Sequence, residues 1–142
     1  MRRAIETGGI FTEGEVRIFR RATKALRLTE DRFDGAALDC SIDALEQRCH
    51  VFADAVGAQE YVIDLVAEAR LDGRAWLMDV PLRTRRFAGR PRATRALLAD
   101  FHAVHDELSI GRAHAGAVEV VGVRARVACP LPSRYDARAG DR

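Results

Sequence analysis

Apolar residues in the first half of the chain recur at intervals of three and four, which is the spacing of one buried helix face. Thr12 and Glu15 form a capping box that would satisfy the first backbone N–H groups of a helix. Thr29 and Ser41 are suitable caps for two further helices. The pattern predicts four helices, over 12–28, 30–38, 42–56 and 59–70.

The second half of the chain has a different pattern. Residues 75–80 are mostly apolar and stop at Pro81, which is typical of a short strand. A polar loop over 83–92 precedes a helical repeat over 93–108, and valines dominate 117–129, as in a buried strand. The predicted fold class is therefore α+β and helix-dominated, with four N-terminal helices followed by a short strand–helix–strand unit.

The length of the chain, 142 residues, is that of one ordinary domain. We predict a single globular domain over residues 10–132, with flexible ends at 1–9 and 133–142, where glycine, arginine and aspartate are frequent. Two strands alone make a marginal sheet in water. We therefore expect self-association, with a second copy completing the sheet in a homodimer.

Composition narrows the class of protein. The chain is 48% hydrophobic and 31% charged, which is typical of a globular protein. No apolar run reaches the ~18 residues of a membrane span, and no apolar core of a signal peptide follows the basic start. The three cysteines, Cys40, Cys49 and Cys129, lack the spacing of a disulfide framework or a zinc ribbon. We predict a cytoplasmic protein with no membrane contact and no cofactor.

Positive charge is concentrated in two places. The net charge is −4 for residues 1–82 and +6 for residues 83–142. Basic side chains line the polar face of the first predicted helix, and six arginines fall within residues 83–95, which contain no acid. Such surfaces are typical of phosphate-backbone binding, although solvated charge in an arginine-rich proteome is the alternative interpretation. The candidate nucleic-acid-binding residues are Arg17, Arg20, Arg21, Lys24, Arg83, Arg85, Arg86, Arg90, Arg92 and Arg95.

Residues 12–70 also resemble the helix-turn-helix of LuxR-type regulators. The matching positions are Thr12-x-x-Glu15 with Ile18-Phe19, then Leu38-x-x-Ser41-x-x-Ala44-Leu45, then Phe52 and Val56-Gly57-Ala58. The resemblance implies a DNA-binding regulator whose second helix, capped by Ser41, enters the major groove. The polar face of that helix would present Asp43, Glu46, Gln47, Arg48 and His50.

Histidines supply the one candidate metal site. His102 and His105 share a face of the predicted helix over 93–108, and His114 follows it. Three imidazoles could hold zinc with an open position, but a histidine packed on a helix face is the more ordinary interpretation. The sequence has no Gly-x-Ser-x-Gly elbow and no phosphate-binding glycine loop, so the balance is against an enzyme.

Three functions remain open at this point. The first is a small intracellular nucleic-acid-binding or transcription-associated module that uses the basic helix face and the arginine-rich loop. The second is a homo-oligomeric protein-interaction module with no nucleic-acid contact. The third is a small metal-binding enzyme or sensor that uses the histidines. The sequence favours the first, because two separate basic surfaces support it.

Overall fold

The computed structural model describes residues 2–7, 10–72, 74–109 and 117–130, with side chains described within 14–72, 74–108 and 117–130. Within these ranges, five strands and two helices are formed. In chain order the elements are β1 Arg2–Thr7, β2 Ile10–Leu28, α1 Gly35–Ala55, β3 Val62–Leu71, β4 Met78–Pro81, α2 Pro91–Ser109 and β5 Val118–Pro130.

The strands form one sheet in the order β1-β2-β5-β3-β4, and every neighbouring pair is antiparallel. Side chains alternate across the sheet, so that Val123, Ala125 and Val127 of β5 face the helices and are buried. Leu38 and Ile42 of α1 and Phe101 of α2 belong to the same core. Both helices therefore cover one face of the sheet, and we call the opposite side the outer face.

The predicted fold class is wrong, because two of the four expected helices are strands. Residues 12–28 lie in β2, which pairs with β5 from Gly14↔Pro130 to Leu28↔Val118. Residues 59–70 largely fall in β3, which pairs with β5 on its other side. In each segment apolar residues occur on both faces of the strand. They therefore do not alternate strictly with polar residues, and their spacing also fits one face of a helix. The long valine-rich β5 decides between them by hydrogen-bonding to both segments.

The other two N-terminal helices merge into one. Asp34 caps α1, and its carboxylate accepts a hydrogen bond from the Ala37 backbone N–H at 3.0 Å. Ser41, the predicted cap of a separate helix, instead lies buried inside α1. The break expected between residues 38 and 42 is therefore absent, because Leu38 and Ile42 both contribute to the core as one continuous helix face.

The later elements follow the prediction more closely. The helix expected over 93–108 is confirmed as α2, and the strand expected over 117–129 is confirmed as β5. The strand expected over 75–80 is formed as the shorter β4. Residues 2–7, within the end predicted to be flexible, form β1, whereas 133–142 lie outside the described residues.

The sheet also removes the reason for expecting a homodimer. That expectation rested on a two-stranded sheet in need of a partner, but the single chain forms a five-stranded sheet. In the part of the chain that the structure describes, no helix has the length and apolar character needed to cross a bilayer.

Candidate functional surfaces

The basic side chains predicted to line one helix face are divided between the two faces of the sheet. Strand alternation sends Arg17 and Arg21 to the helix side and Arg20 to the outer face. The Arg17 guanidinium lies 5.5 Å from the ring centroid of Phe19 and 5.8 Å from that of Phe52, which is cation–π distance. Lys24 is exposed farther along β2, beside its irregular pairing. These four residues therefore do not form one basic surface.

Two arginines of the 83–95 cluster are directed towards α1. Arg86 Nη1 donates to Asp43 Oδ1 at 2.6 Å, and this hydrogen bond raises the pKa of Arg86. Arg85 lies 3.7 Å from Glu46 and also donates to the backbone carbonyl of Ile63 at 2.7 Å. Much of the charge on both guanidiniums is therefore balanced within the domain.

The other four arginines of the cluster line one open cavity of about 830 Å³ at the start of α2. Arg83 donates to both carboxylate oxygens of Asp100 at 2.9 Å each, a bidentate pair that holds its side chain. Among the residues that the structure describes, no acid lines this cavity. The other three arginines form no ion pair with any of those residues. We call this the arginine cavity, and its lining residues are Arg83, Thr84, Arg90, Pro91, Arg92, Ala93, Arg95 and Ala96.

The loop before the arginine cavity is fixed to α1. The Asp39 carboxylate accepts hydrogen bonds from the backbone N–H groups of Phe87 at 2.7 Å and Ala88 at 3.0 Å. The Phe87 side chain is buried and meets the Phe33 ring edge-on at 6.3 Å between centroids. Gly35 allows the close approach, because a Cβ there would lie 2.6 Å from the Phe87 carbonyl carbon. The loop thus has a defined position relative to the helix layer.

The outer face carries a network of ion pairs that the sequence did not reveal. Glu68 of β3 is 7% exposed, and its carboxylate lies 2.5 Å from Arg20 Nε and 3.7 Å from Arg124 Nη1. Arg124 also donates to Asp79 of β4 at 2.6 Å, and that hydrogen bond raises the pKa of Arg124. Gly122 leaves room for the Glu68 carboxylate, because a Cβ there would lie 2.8 Å from Glu68 Oε1. Opposite charges from four strands therefore meet on this face.

Apolar side chains adjoin this network. Val16, Ala128 and Val62 lie in one row across β2, β5 and β3, and Val16 and Ala128 form a small buried cluster. Ile18, two residues farther along β2, is 54% exposed, and Val62 is 48% exposed. We call these four residues the apolar patch. Alternate residues of β3 point to this face, so a strand pattern in that segment could have identified it. The same residues also fit the spacing of a helix, which is the element predicted from the sequence.

The histidines and cysteines do not assemble into a metal site in the described ranges. His102 and His105 lie on α2 beside Phe101, and the His105 ring stacks on Phe101 at 6.1 Å between centroids. His114 lies outside the described residues. Among the residues that the structure describes, no group of three or more His, Cys, Asp or Glu side chains could hold a metal ion. Burial raises the pKa of Cys49 to about 11 and also raises that of Cys129.

The predicted DNA-binding helix-turn-helix is not formed. Its opening helix is β2, its closing helix is β3, and its turn lies inside α1. The face expected to read DNA is engaged within the domain. Asp43 and Glu46 pair with Arg86 and Arg85, and Arg48 lies over the Phe19 ring at 4.5 Å. The interpretation of residues 12–70 as a helix-turn-helix of a helical regulator is therefore wrong for this fold.

No protein-family model matches the chain, and no curated protein matches it by sequence. Solved structures do share its fold. Acetone carboxylase in a nucleotide-free structure, described for ATP-dependent acetone carboxylation, aligns with TM-score 0.71 and 13% identity over 84% of this chain and 18% of that one. ATP-dependent caprolactamase from Pseudomonas jessenii aligns with TM-score 0.70 and 20% identity over 85% of this chain and 17% of that one. The chain thus spans less than a fifth of either enzyme, and at these identities the likeness is one of fold alone.

Proposed function

We propose that this domain is one component of a larger ATP-dependent enzyme assembly that acts on a small carbonyl compound, and that it docks on the rest of that assembly through the outer face of its sheet. The observation that carries the proposal is the outer face, which no described helix covers and which bears an apolar patch beside a network of ion pairs. The two structural neighbours support it, because each contains this fold as a minor part of a long chain.

The composition of the outer face suits a protein–protein contact. An antiparallel sheet with helices on one side normally presents polar side chains on the other. Here Ile18 and Val62 are about half exposed beside the buried Val16 and Ala128. An apolar centre with a charged border is the usual anatomy of an interface core and rim. The nearest charge of that border is Arg126, which lies opposite Ile18 and 3.7 Å from Asp64. Farther along the strands, Arg20 is held by Glu68 and Arg124 by Asp79.

The nature of the partner is inferred from the neighbours. Acetone is a ketone and caprolactam is a cyclic amide, so both enzymes use ATP in a reaction of a small carbonyl compound. This chain corresponds to less than a fifth of either enzyme. We therefore expect the ATP chemistry of the assembly to lie on a larger partner chain. The proposal keeps the protein-interaction function considered from the sequence, but the contact is with a larger enzyme chain. The predicted cytoplasmic location belongs to the same proposal, since it gives the assembly access to ATP.

The test uses the tagged chain recovered from its native cells under gentle conditions. We expect it to elute in a complex several times larger than its own 15.7 kDa. The complex should bind a fluorescent ATP analogue and hydrolyse ATP faster when small ketones or lactams are added. Elution of the chain alone, or in a complex that binds no nucleotide, would refute the proposal.

Two matched substitutions locate the contact. Ile18→Glu places a charge in the apolar patch, whereas Val51→Glu makes a similar change at a 57% exposed position on α1. Both side chains are exposed, so both variants should keep the wild-type circular dichroism spectrum and melting temperature. We expect Ile18→Glu to weaken the complex at least ~10-fold, about 1.4 kcal/mol of binding free energy, while Val51→Glu leaves it intact. Equal losses in both variants would contradict docking through the outer face.

A further inference from the structure

We propose that the arginine cavity binds a small phosphate-bearing anion. This site lies at the start of α2, away from the apolar patch, and its function does not depend on the docking proposed above. The ligand chemistry is that of a di- or triphosphate group, whether free or part of a nucleotide.

The first support is uncompensated charge. Of the four arginines in the cavity, Arg83 is balanced by Asp100. Arg90, Arg92 and Arg95 are exposed and make no ion pair with any residue that the structure describes. Arg86 and Arg124 are each paired with a carboxylate, Asp43 and Asp79, whereas these three arginines line one cavity without one from the described part of the chain. Three neighbouring guanidiniums without a carboxylate repel one another, and an anion between them would relieve that repulsion.

The second support is geometry. Arg92 and Arg95 are three residues apart on α2, so their side chains lie on the same side of the helix. Arg90 precedes the helix, and its backbone N–H donates to the Phe87 carbonyl at 3.1 Å. The carboxylate of Asp39 holds Phe87 and Ala88 in turn, so the backbone that carries Arg90 is fixed. The backbone that carries the three charges is therefore held by the fold, and all three side chains line the same cavity.

The third support is the size and lining of the cavity. Its volume of about 830 Å³ lies within the range of roughly 300–1,000 Å³ found for small-ligand sites. Guanidinium groups bind phosphate oxygens in a bidentate manner, and the Thr84 hydroxyl on the cavity wall could donate one further hydrogen bond. A single phosphate would contact only part of this lining, so two or three linked phosphates fit it better.

The test is isothermal titration of the purified chain with pyrophosphate. We expect saturable binding that weakens as salt is added, because phosphate contacts are screened. The double variant Arg92→Gln/Arg95→Gln should bind at least ~10-fold more weakly. Arg21→Gln is the matched control, since Arg21 is exposed and makes no ion pair in the described residues, but lies on β2. This control should change the affinity less than ~2-fold.

Titration with ATP then distinguishes the source of the phosphates. Tighter binding of ATP than of pyrophosphate supports the proposal with a nucleotide as ligand, and equal binding supports it with the phosphates alone. Absence of saturable binding to either would overturn it. So would an equal loss in Arg21→Gln, because that result shows only diffuse attraction by a basic surface. All variants change exposed side chains, and an unchanged melting temperature verifies their folding.

Discussion

Gly35 at the first position of α1 is the point where the arginine-bearing loop approaches the helix layer most closely. A Cβ at this position would lie 2.6 Å from the Phe87 carbonyl carbon and 2.7 Å from both the Phe87 oxygen and the Ala88 nitrogen. Ordinary contacts begin at 3.4 Å, so Gly35→Ala requires a displacement of about 0.8 Å, the difference between 3.4 and 2.6 Å. All three neighbours are backbone atoms and cannot rotate away.

The expected loss of stability follows from these contacts. Overpacking of this kind costs about 1–3 kcal/mol. Moving residues 87 and 88 also weakens two hydrogen bonds to the Asp39 carboxylate, and a hydrogen bond to a charged group contributes about 1.5–3 kcal/mol. Alanine is favoured over glycine in a helix, but this preference offsets less than about 1 kcal/mol of the destabilisation. We therefore expect Gly35→Ala to lower the free energy of unfolding by about 3 kcal/mol, or roughly 9 °C in melting temperature for a chain of this size.

Gly89→Ala is the control that separates steric overlap from backbone strain. Gly89 has φ +66°, but a Cβ there would meet nothing within 4 Å. The left-handed conformation alone costs an alanine about 1–2 kcal/mol. Urea unfolding followed by circular dichroism should therefore place Gly35→Ala clearly below Gly89→Ala. A Gly35→Ala variant as stable as wild type, or no less stable than Gly89→Ala, would refute the close approach of loop and helix.

Three further outcomes can be measured on the isolated chain. Gly122→Ala should lower the free energy of unfolding in urea by about 1–2 kcal/mol, because its Cβ would displace the Glu68 carboxylate from Arg20. Most of this loss should vanish when the substitution is made in a Glu68→Ala background. Additive losses in the double variant would contradict the contact between Gly122 and Glu68. Iodoacetamide at pH 8 should label the exposed Cys40 quickly. It should label Cys49 and Cys129 only after unfolding, because these two thiols are buried and have raised pKa values. Rapid labelling of all three cysteines in the native protein would contradict the burial of Cys49 and Cys129. Because the folded state raises the pKa of Cys49 from 9.0 to about 11, stability should fall between pH 9 and 11 by up to about 2–3 kcal/mol, and Cys49→Ala should flatten that part of the pH profile.

The sequence by itself determined the elements whose apolar spacing fits a helix or a strand but not both. The repeat over 93–108 keeps Leu97, Phe101 and His105 buried on one side, with Leu98 and Val104 partly buried beside them, and it forms α2. The valines of 117–129 leave little choice except a strand buried in the sheet, and they form β5. The arginines of 83–95 could also be identified as a cluster, because their proximity is a property of the chain itself.

Tertiary pairing decided the segments that are compatible with both periods. Residues 12–28 and 62–71 carry apolar side chains at helical spacing and also on alternate positions, and their propensities are too weak to choose between them. β5 lies about 100 residues beyond the first of these segments, yet its backbone hydrogen-bonds to both and makes them strands.

The candidate surfaces show the same division. The sequence by itself determined which residues carry positive charge, but not which charges remain unbalanced. The acids of α1 lie about 40 residues before Arg85 and Arg86 and balance them, whereas no acid from any described element lines the cavity of Arg90, Arg92 and Arg95. The outer face exists only because β2, β5, β3 and β4 meet there, and Glu68 meets Arg20 and Arg124 through that pairing. Periodicity describes neighbours along the chain, and these contacts are made between residues that only folding brings together.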